Sequence, residues 1–390
     1  MRSHYDRKAK QRIALDRILL GDESGIRAAK IATLFDNPLR PSTRMSASPH
    51  VLLLREYDRL GESLFEPSTL RDTAYYQNAF LNIDIIGHYF DARTIDEIPG
   101  LCRRFVDQYL GRELNSPKQK GQSAPDSPIR VRPIKYSSCV QLVDGHHRVA
   151  CAIARGESEI DVVVGPDEVL TPMQRQLLDV MWLKGRRELY QPIELPELED
   201  SWVLVRKCSD RLDKMVQFLD GLGMEPGSTY LDLGSSYGWF TAQMLDRGFD
   251  SFGVERDPIA TSIGPIVYGL DPHRITRSDI VRFLRETDRS IDFVSCFSVL
   301  HHFHMTDCGA SATDVLQLID RVTKRVLFFD MGHCGEAWFR ERLAGWTHDR
   351  IEEWLHKNTT FKSIVRLGAD EDAIPPFADN YSRMLFACVR

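Results

Sequence analysis

The chain has eight cysteines (Cys102, Cys139, Cys151, Cys208, Cys296, Cys308, Cys334 and Cys388) but no Cys-x-x-Cys pair. That scatter excludes a zinc ribbon and offers no disulfide framework, so most of them read as reduced, small core residues. Long apolar runs are also missing. None approaches the roughly 20 residues needed to cross a bilayer. The positively charged start, Met1 to Lys10, carries no apolar stretch of signal-peptide length, so neither export nor a membrane span is expected and the cytoplasm is the expected location. A large excess of one charge is absent too: the formal net charge is −6. Ten Lys/Arg face five Asp/Glu in residues 1–45, leaving −11 for the rest, and because the signs alternate this arm reads as a solvated helix, with a nucleic-acid partner not expected.

At 390 residues, with 43 % hydrophobic and 27 % charged residues, the chain is long enough for two domains, each with its own core. Residues 8–35 read as helical from the spacing of Leu15, Ile18 and Leu19, with a break at Gly21-Asp22, and Asn37-Pro38-Leu39-Arg40-Pro41 stops any helix. Helical patterns recur at 50–60 and from Pro99 to Leu110, and the aromatic stretch Tyr75 to Phe90 between them reads as core. Asn115 to Pro128, rich in Pro, Gly and Ser, reads as a surface loop. Strands are expected at Ile129–Ile134, Cys139–Val143 and Ile160–Val164, with helices at His146–Arg155 and around Thr171–Leu189. From Asp210 onward strands and helices alternate regularly, which fits a doubly wound α/β sheet. The expected organisation is an N-terminal arm (1–45), a small α+β domain (46–190), a linker (191–208) and an α/β domain (209–390).

The most informative segment is Tyr230-Leu-Asp232-Leu-Gly234-Ser235-Ser-Tyr-Gly238-Trp-Phe. An apolar strand delivers a glycine-bearing turn where backbone can approach a ligand without a Cβ in the way, and the helix that follows offers unpaired N–H groups. The next strand ends at Glu255, where an acid can accept ribose hydroxyls. Asp279 stands near the end of the third, and the fourth runs into Val299-Leu-His301-His302-Phe. Together these segments resemble the successive motifs of class I S-adenosylmethionine-dependent methyltransferases over about residues 209–390. Ser236 replaces the middle glycine common in that family's first motif, a departure bearing on the shape of the turn. The resemblance implies a Rossmann-like sheet and S-adenosylmethionine as cofactor. It implies Asp232 and Gly234 at the methionine moiety, Glu255 at the ribose and Asp279 at the adenine, with Ser235 and Gly238 also among the cofactor-binding residues. Asp279 also reads as a plain helix N-cap, Asp232 as a cap of its turn and Glu255 as a surface acid.

His301 or His302, at the carboxyl edge of the sheet, is the candidate base for removing a proton from a hydroxyl acceptor, with pocket-shaping as the alternative. Glu336, Trp338, Arg340, Trp346, Asn380, Tyr381 and Arg383 are candidates to line a pocket for a small-molecule or glycan-type acceptor. The set His301, His302, His304, Cys308, His333 and Cys334 matches no familiar ligand spacing, so no metal is expected.

In the first domain Val143-Asp144-Gly145-His146-His147-Arg148 crowds two imidazoles and a guanidinium at a strand-to-helix junction, a pattern suited to an anion such as phosphate. It resembles the ParB/sulfiredoxin-like superfamily, in the Asp-Gly-His-His-Arg version of nucleotide-dependent small-molecule kinases. The resemblance implies ATP or ADP as a ligand there, with Glu56, Glu62 and Glu66 as unranked candidate bases. Sulfiredoxin's catalytic Cys is absent, and so is a basic recognition helix of the DNA-partitioning version. The expected function is O-methylation of a small or glycan-type acceptor. A kinase-methyltransferase pair acting on one acceptor, a nonenzymatic DNA-binding or regulatory protein and a nicotinamide dehydrogenase stand as alternatives; the last lacks its third-glycine spacing.

Overall fold

A computed structural model describes residues 10–21, 39, 42–112, 127–306 and 309–390. Most of the N-terminal arm, nearly all of the 115–128 loop and Cys308 lie outside the described residues. The chain divides into two compact units, one of Met1–Arg175 with Glu194–Ser201, the other of Gln176–Ile193 with Trp202–Arg390.

In the first unit β1 (Gln11–Ala14), β2 (Ile18–Leu19), β3 (Ile129–Pro133), β4 (Val140–Asp144) and β5 (Glu159–Val164) form one mixed sheet in the order β1-β5-β3-β4-β2. The helix expected from residue 8 is not formed across 10–21. There β1 pairs antiparallel with β5 and β2 parallel with β4, so ladder hydrogen bonds and the full burial of Ile18 and Leu19 override a local helical spacing. The helices are α1 (Pro49–Leu60), α2 (Pro67–Arg71), α3 (Ala74–Ile86), α4 (Ile98–Tyr109) and α5 (His146–Ala154). Ser48 caps α1 by accepting from the Val51 N–H at 3.4 Å, with Pro49 preset in the first turn. Leu53, Leu54, Tyr75, Tyr89, Phe105, Leu142 and Val149 fill the core, so the aromatic stretch is buried as expected.

The 191–208 stretch is not a simple spacer. Glu197 is fully buried in the first unit, where the Ser42 and Thr171 hydroxyls donate to its carboxylate. In the second unit β6 (Glu188–Leu189) pairs in parallel with β7 (Val203–Leu204). The helix expected to reach Leu189 is α6 (Pro172–Asp179), which stops early and gives way to turns over 181–185, where Lys184 and Gly185 take left-handed φ angles of 50° and 78°.

The second unit holds β8 (Thr229–Leu233), β9 (Asp250–Glu255), β10 (Ile275–Arg277), β11 (Ile291–Phe297), β12 (Thr323–Asp330), β13 (Ser363–Ala369) and β14 (Met384–Val389), in the order β10-β9-β8-β11-β12-β14-β13. The strands β8 to β12 run parallel, and β14 lies antiparallel between β12 and β13. The helices are α7 (Ser209–Gly221), α8 (Trp239–Asp246), α9 (Pro258–Tyr268), α10 (Ile280–Glu286), α11 (Leu300–Met305), α12 (Ala312–Val322) and α13 (His348–Asn358). Alternation along the strands sends Tyr230, Phe293 and Phe328 against Leu212, Met215, Phe240 and Met244, and sends Leu231, Leu233, Val294 and Leu327 toward Val315, Leu316, Ile319 and Leu355. Strand order reverses between β8 and β11, and the crevice at their carboxyl ends is where open α/β sheets take ligands.

Beside that crevice lies a buried charge network. Arg206, Arg211 and Arg383 are 0 %, 1 % and 2 % exposed. Arg211 donates to Asp330 at 3.2 Å and lies 3.6 Å from Asp372; Arg206 pairs with Asp370 and stands 3.7 Å from Asp330; Arg383 grips Glu336 through two bonds of 2.8 and 2.7 Å. Burial alone raises a carboxyl's pKa, yet the three guanidinium groups and the Ser298 N–H hold Asp330 below the usual range. Removing one member leaves buried charges uncompensated. Asp330→Ala is expected to lower the unfolding free energy by about 3–5 kcal/mol in urea titration, and a loss below about 1 kcal/mol would mean that the network contributes little.

Candidate active site

The bend between β8 and α8 is built on three residues in left-handed conformation, Gly234 (φ 77°), Ser236 (φ 52°) and Gly238 (φ 85°). Ser236 therefore adopts the conformation that a glycine would supply, and the departure from the family pattern leaves the turn intact. A Cβ on Gly234 would meet Val299 Cγ2 at 2.6 Å, so the first glycine is required by both angle and space. Gly253 of β9 lies just as close under the bend, where a Cβ would meet Ser235 Oγ at 2.6 Å.

Glu255, at the tip of β9, turns its carboxylate toward the bend. Oε2 accepts from the Ser236 N–H at 3.0 Å, and Oε1 from the N–H groups of Arg256 and Asp257 at 2.8 and 2.9 Å. Three of its roughly four lone-pair directions are thus occupied. Burial still outweighs these bonds and raises its pKa. Asp279 caps α10, with Oδ1 accepting from Val281 and Arg282 N–H at 2.9 and 3.2 Å, so its N-cap role holds while the side chain also borders the cavity.

A cavity of about 650 Å³ opens here. The structure brings Gly234, Ser236, Glu255, Asp279, His301 and His302 to its walls. It does not bring Asp232, Ser235 or Gly238 there. Asp232 is buried behind the turn, where it accepts from Ser295 Oγ at 2.7 Å, and Ser295 Oγ also bonds Tyr230 Oη at 2.6 Å. Its Oδ2 has no partner among the described residues, and burial pushes its pKa up to about 7. The cavity is also lined by Trp182, Tyr190, Trp338, Phe339, Phe377, Tyr381 and Arg383, and Phe339 packs against the His301 ring at 4.8 Å. Of the expected acceptor-pocket residues, Trp338, Tyr381 and Arg383 are on the wall, Glu336 holds Arg383 from inside, and Asn380 accepts from the Trp338 N–H at 3.2 Å. Trp346 instead packs against His304 and Trp354.

His301 is buried, and its Nδ1 accepts from the Gly332 N–H at 3.3 Å, so a neutral ring carries its proton on Nε2. Burial, then the Arg383 cation, pushes its pKa well below the ordinary histidine value. His302 is more open to solvent; loss of water on its inner side and the charges of Arg383 and Arg256 push its pKa down as well. Among the described residues no group of three or more His, Cys, Asp or Glu is arranged to hold a metal ion.

The α8 N-terminus corrects one expectation: Tyr237 and Trp239 N–H are not left open, because the Gln191 side-chain oxygen accepts both, at 3.1 and 3.2 Å. Gln191, Trp182, Tyr190, Arg206 and Arg211 were missed by motif reading because all precede Tyr230, where the first recognised motif starts. Asp330, by contrast, ends a strand at the sheet's carboxyl edge and carried a positional signal.

In the first unit the Asp144–Arg148 group is committed to internal contacts. His146 Nε2 lies 3.0 Å from Leu20 O, and His147 stacks on Phe105 with Nε2 2.7 Å from Tyr75 Oη. Gly145 makes the turn at φ 104°, and Arg148 donates to Ser127 O while lying 3.9 Å from Asp144.

Two buried groups set opposite pH dependences. The folded-state pKa of His301 lies below its unfolded value near 6.5, so its contribution is present above that pH and lost as pH falls. Asp232, raised from 3.8 to about 7, contributes fully below 3.8 and loses that contribution as pH rises toward 7. His301→Asn, which keeps an acceptor for Gly332, is expected to flatten the acid-side loss in unfolding free energy; Asp232→Asn is expected to flatten the loss on the rising side. Unchanged profiles would refute both assignments.

Residues 204–356 match a family model described as a methyltransferase domain. No curated protein matches the chain. Among solved structures it is similar to the bifunctional kinase-methyltransferase WbdD, at 18 % identity over 56 % of this chain and 46 % of that one, with a TM-score of 0.43. It is also similar to the magnesium protoporphyrin IX methyltransferase ChlM from Synechocystis PCC 6803 (21 %, 46 % and 78 %, TM-score 0.35) and to the N-methyltransferase NodS from Bradyrhizobium japonicum WM9 (17 %, 46 % and 86 %, TM-score 0.34). The match thus spans less than half the length of WbdD. Over residues 204–356 the chain thus carries a stretch similar to a methyltransferase domain.

Proposed function

We propose that the second unit transfers a methyl group from S-adenosylmethionine to an oxygen of a small-molecule or glycan-type acceptor. The observation that carries this reading is the convergence of the bend and the Glu255 carboxylate on one cavity wall, joined by the 3.0 Å bond from the Ser236 N–H. The residues suit the donor: the Gly234 backbone permits close approach, Asp279 borders the wall beyond Glu255, and buried acids favour a sulfonium charge. Glu255 keeps about one acceptor direction, enough for one ribose hydroxyl without giving up a backbone bond. When bound, the donor supplies an electrophilic methyl carbon, and the protein's task is alignment and proton removal.

His302 is the better candidate base, because it borders the cavity with a low pKa and is neutral at pH 7. His301, protonated on Nε2 and fixed by Gly332, is suited to donating a hydrogen bond to the acceptor. The aromatic walls offer flat apolar faces to a ring-bearing acceptor. For the first unit we retain the ParB/sulfiredoxin-like reading with a nucleotide phosphate as ligand, supported by the strand, Gly145 turn and helix at Asp144–Arg148; with both imidazoles engaged, Arg148 and the α5 N-terminus are the groups suited to an anion. A kinase-methyltransferase pairing rests on that same ligand.

Calorimetry is expected to detect S-adenosylmethionine binding to the wild type, weakened about tenfold or more by Glu255→Ala. No binding by the wild type would remove the reading. Once an acceptor is in hand, His302→Ala is expected to slow single-turnover transfer by about 10²–10⁴ with donor affinity unchanged. The wild-type rate should rise with pH below about 6.5 and level off above, as a base with a lowered pKa requires. A near-normal rate in His302→Ala would return the assignment to His301.

A further inference from the structure

We propose that Gln191, which precedes the matched methyltransferase domain, is a positioning residue that holds the donor-binding bend in shape; this rests on the donor reading given above. Its side chain is 3 % exposed and makes three bonds to the bend and none elsewhere among those described. Oε1 accepts from the Tyr237 and Trp239 N–H groups at 3.1 and 3.2 Å, and Nε2 donates to Ser235 O at 3.1 Å.

The bend needs such a hold. Its three left-handed residues lie outside any helix or strand ladder. One side is tied to β9: Gly234 and Ser235 N–H donate to Val254 O at 2.9 and 3.1 Å, and the Ser236 N–H donates to Glu255. The opposite side has Gln191. A single planar amide thus closes the N–H of Tyr237 in the turn and of Trp239 at the start of the helix, and adds a second donor to the Ser235 carbonyl, which also accepts from the Gly238 N–H at 2.8 Å.

The segment carrying Gln191 is itself fixed within the second unit. The Met181 N–H donates to Asp257 Oδ2 at 2.7 Å, Tyr268 Oη donates to Pro192 O at 2.6 Å, and β6 pairs with β7. Asp257 also accepts from Ile259 and Ala260 N–H at 2.8 and 3.2 Å, so one carboxylate caps α9 and holds the segment. The residue before Gln191, Tyr190, lines the cavity. Adjacent residues therefore serve one site, the first as wall and the second as brace. Because a neutral carbonyl oxygen occupies the α8 N-terminus, the N–H groups that a dinucleotide pyrophosphate uses in other doubly wound folds are already spent, which favours a cationic donor over such a ligand.

The test uses the full-length protein with S-adenosylmethionine and S-adenosylhomocysteine as probes in calorimetry. Gln191→Leu removes all three bonds at similar volume and is expected to raise both dissociation constants by about tenfold or more; Gln191→Glu, which keeps the acceptor, is expected to stay within about threefold of wild type. In unliganded wild type the Tyr237 and Trp239 amides should exchange hydrogen slowly, a readout that stands even where Gln191→Leu does not fold. The proposal is overturned by Gln191→Leu binding within about twofold of wild type, by Gln191→Glu binding as weakly as Gln191→Leu, or by fast exchange at those two amides. Wild type that binds neither probe removes the donor reading and this inference together, whereas wild-type binding unaffected by Gln191→Leu removes only the role of Gln191.

Discussion

The second unit depends on closing one sharp bend inside the protein. Between Leu233 and Trp239 the chain leaves a strand, passes three left-handed residues and enters a helix, and its N–H groups must find partners where water cannot reach all of them. Two side chains from different parts of the sequence supply those partners, Glu255 from one side and Gln191 from the other. Glycine is indispensable at 234 because a side chain there would run into Val299, which itself begins the turn leading to His301 and His302. The donor wall and the candidate catalytic turn are therefore in direct contact.

Behind Arg383, part of the cavity wall rests on charge. Arg206, Arg211 and Arg383 are withdrawn from water and balanced by Asp330, Asp370, Asp372 and Glu336. Such a network gains little net stability over apolar packing, but its directional bonds hold loops distant in sequence. Ser298 sits within it, held in a left-handed conformation by bonds from its N–H to Asp330 and from Arg206 and Arg383 to its hydroxyl. The turn bearing both histidines is thereby fixed at its root. Two neutral imidazoles beside Arg383 follow first from burial and then from the repulsion of that cation.

Several elements were legible from local pattern alone. Alternating apolar residues over Thr229–Leu233 and Ile291–Phe297, the helical spacing of Leu212, Met215 and Leu219, and the glycines after Leu233 specify strands, a helix and a turn within a few residues, where periodicity is strong. Residues 10–21 read wrongly, because two short strands carry too few residues to display a period and owe their form to pairing with residues more than a hundred positions away. The stretch 191–208 read as a linker because its Pro/Glu composition is that of an exposed segment, whereas Gln191, Glu197 and Arg206 within it are buried by groups that composition cannot reveal.

By itself the sequence determined the alternation of strands and helices from Asp210 onward, the glycine-bearing bend and the acids at the strand ends, since each follows from residue type at short range. Only the tertiary structure decided that Asp232 sits behind the wall, that Gln191 occupies the helix terminus, that His146 and His147 are enclosed among aromatic rings, and that His301 is held by Gly332 while His302 stands more open. The physical reason is that burial and hydrogen-bond partnership belong to pairs of residues far apart in the chain, and no short window of sequence contains both partners.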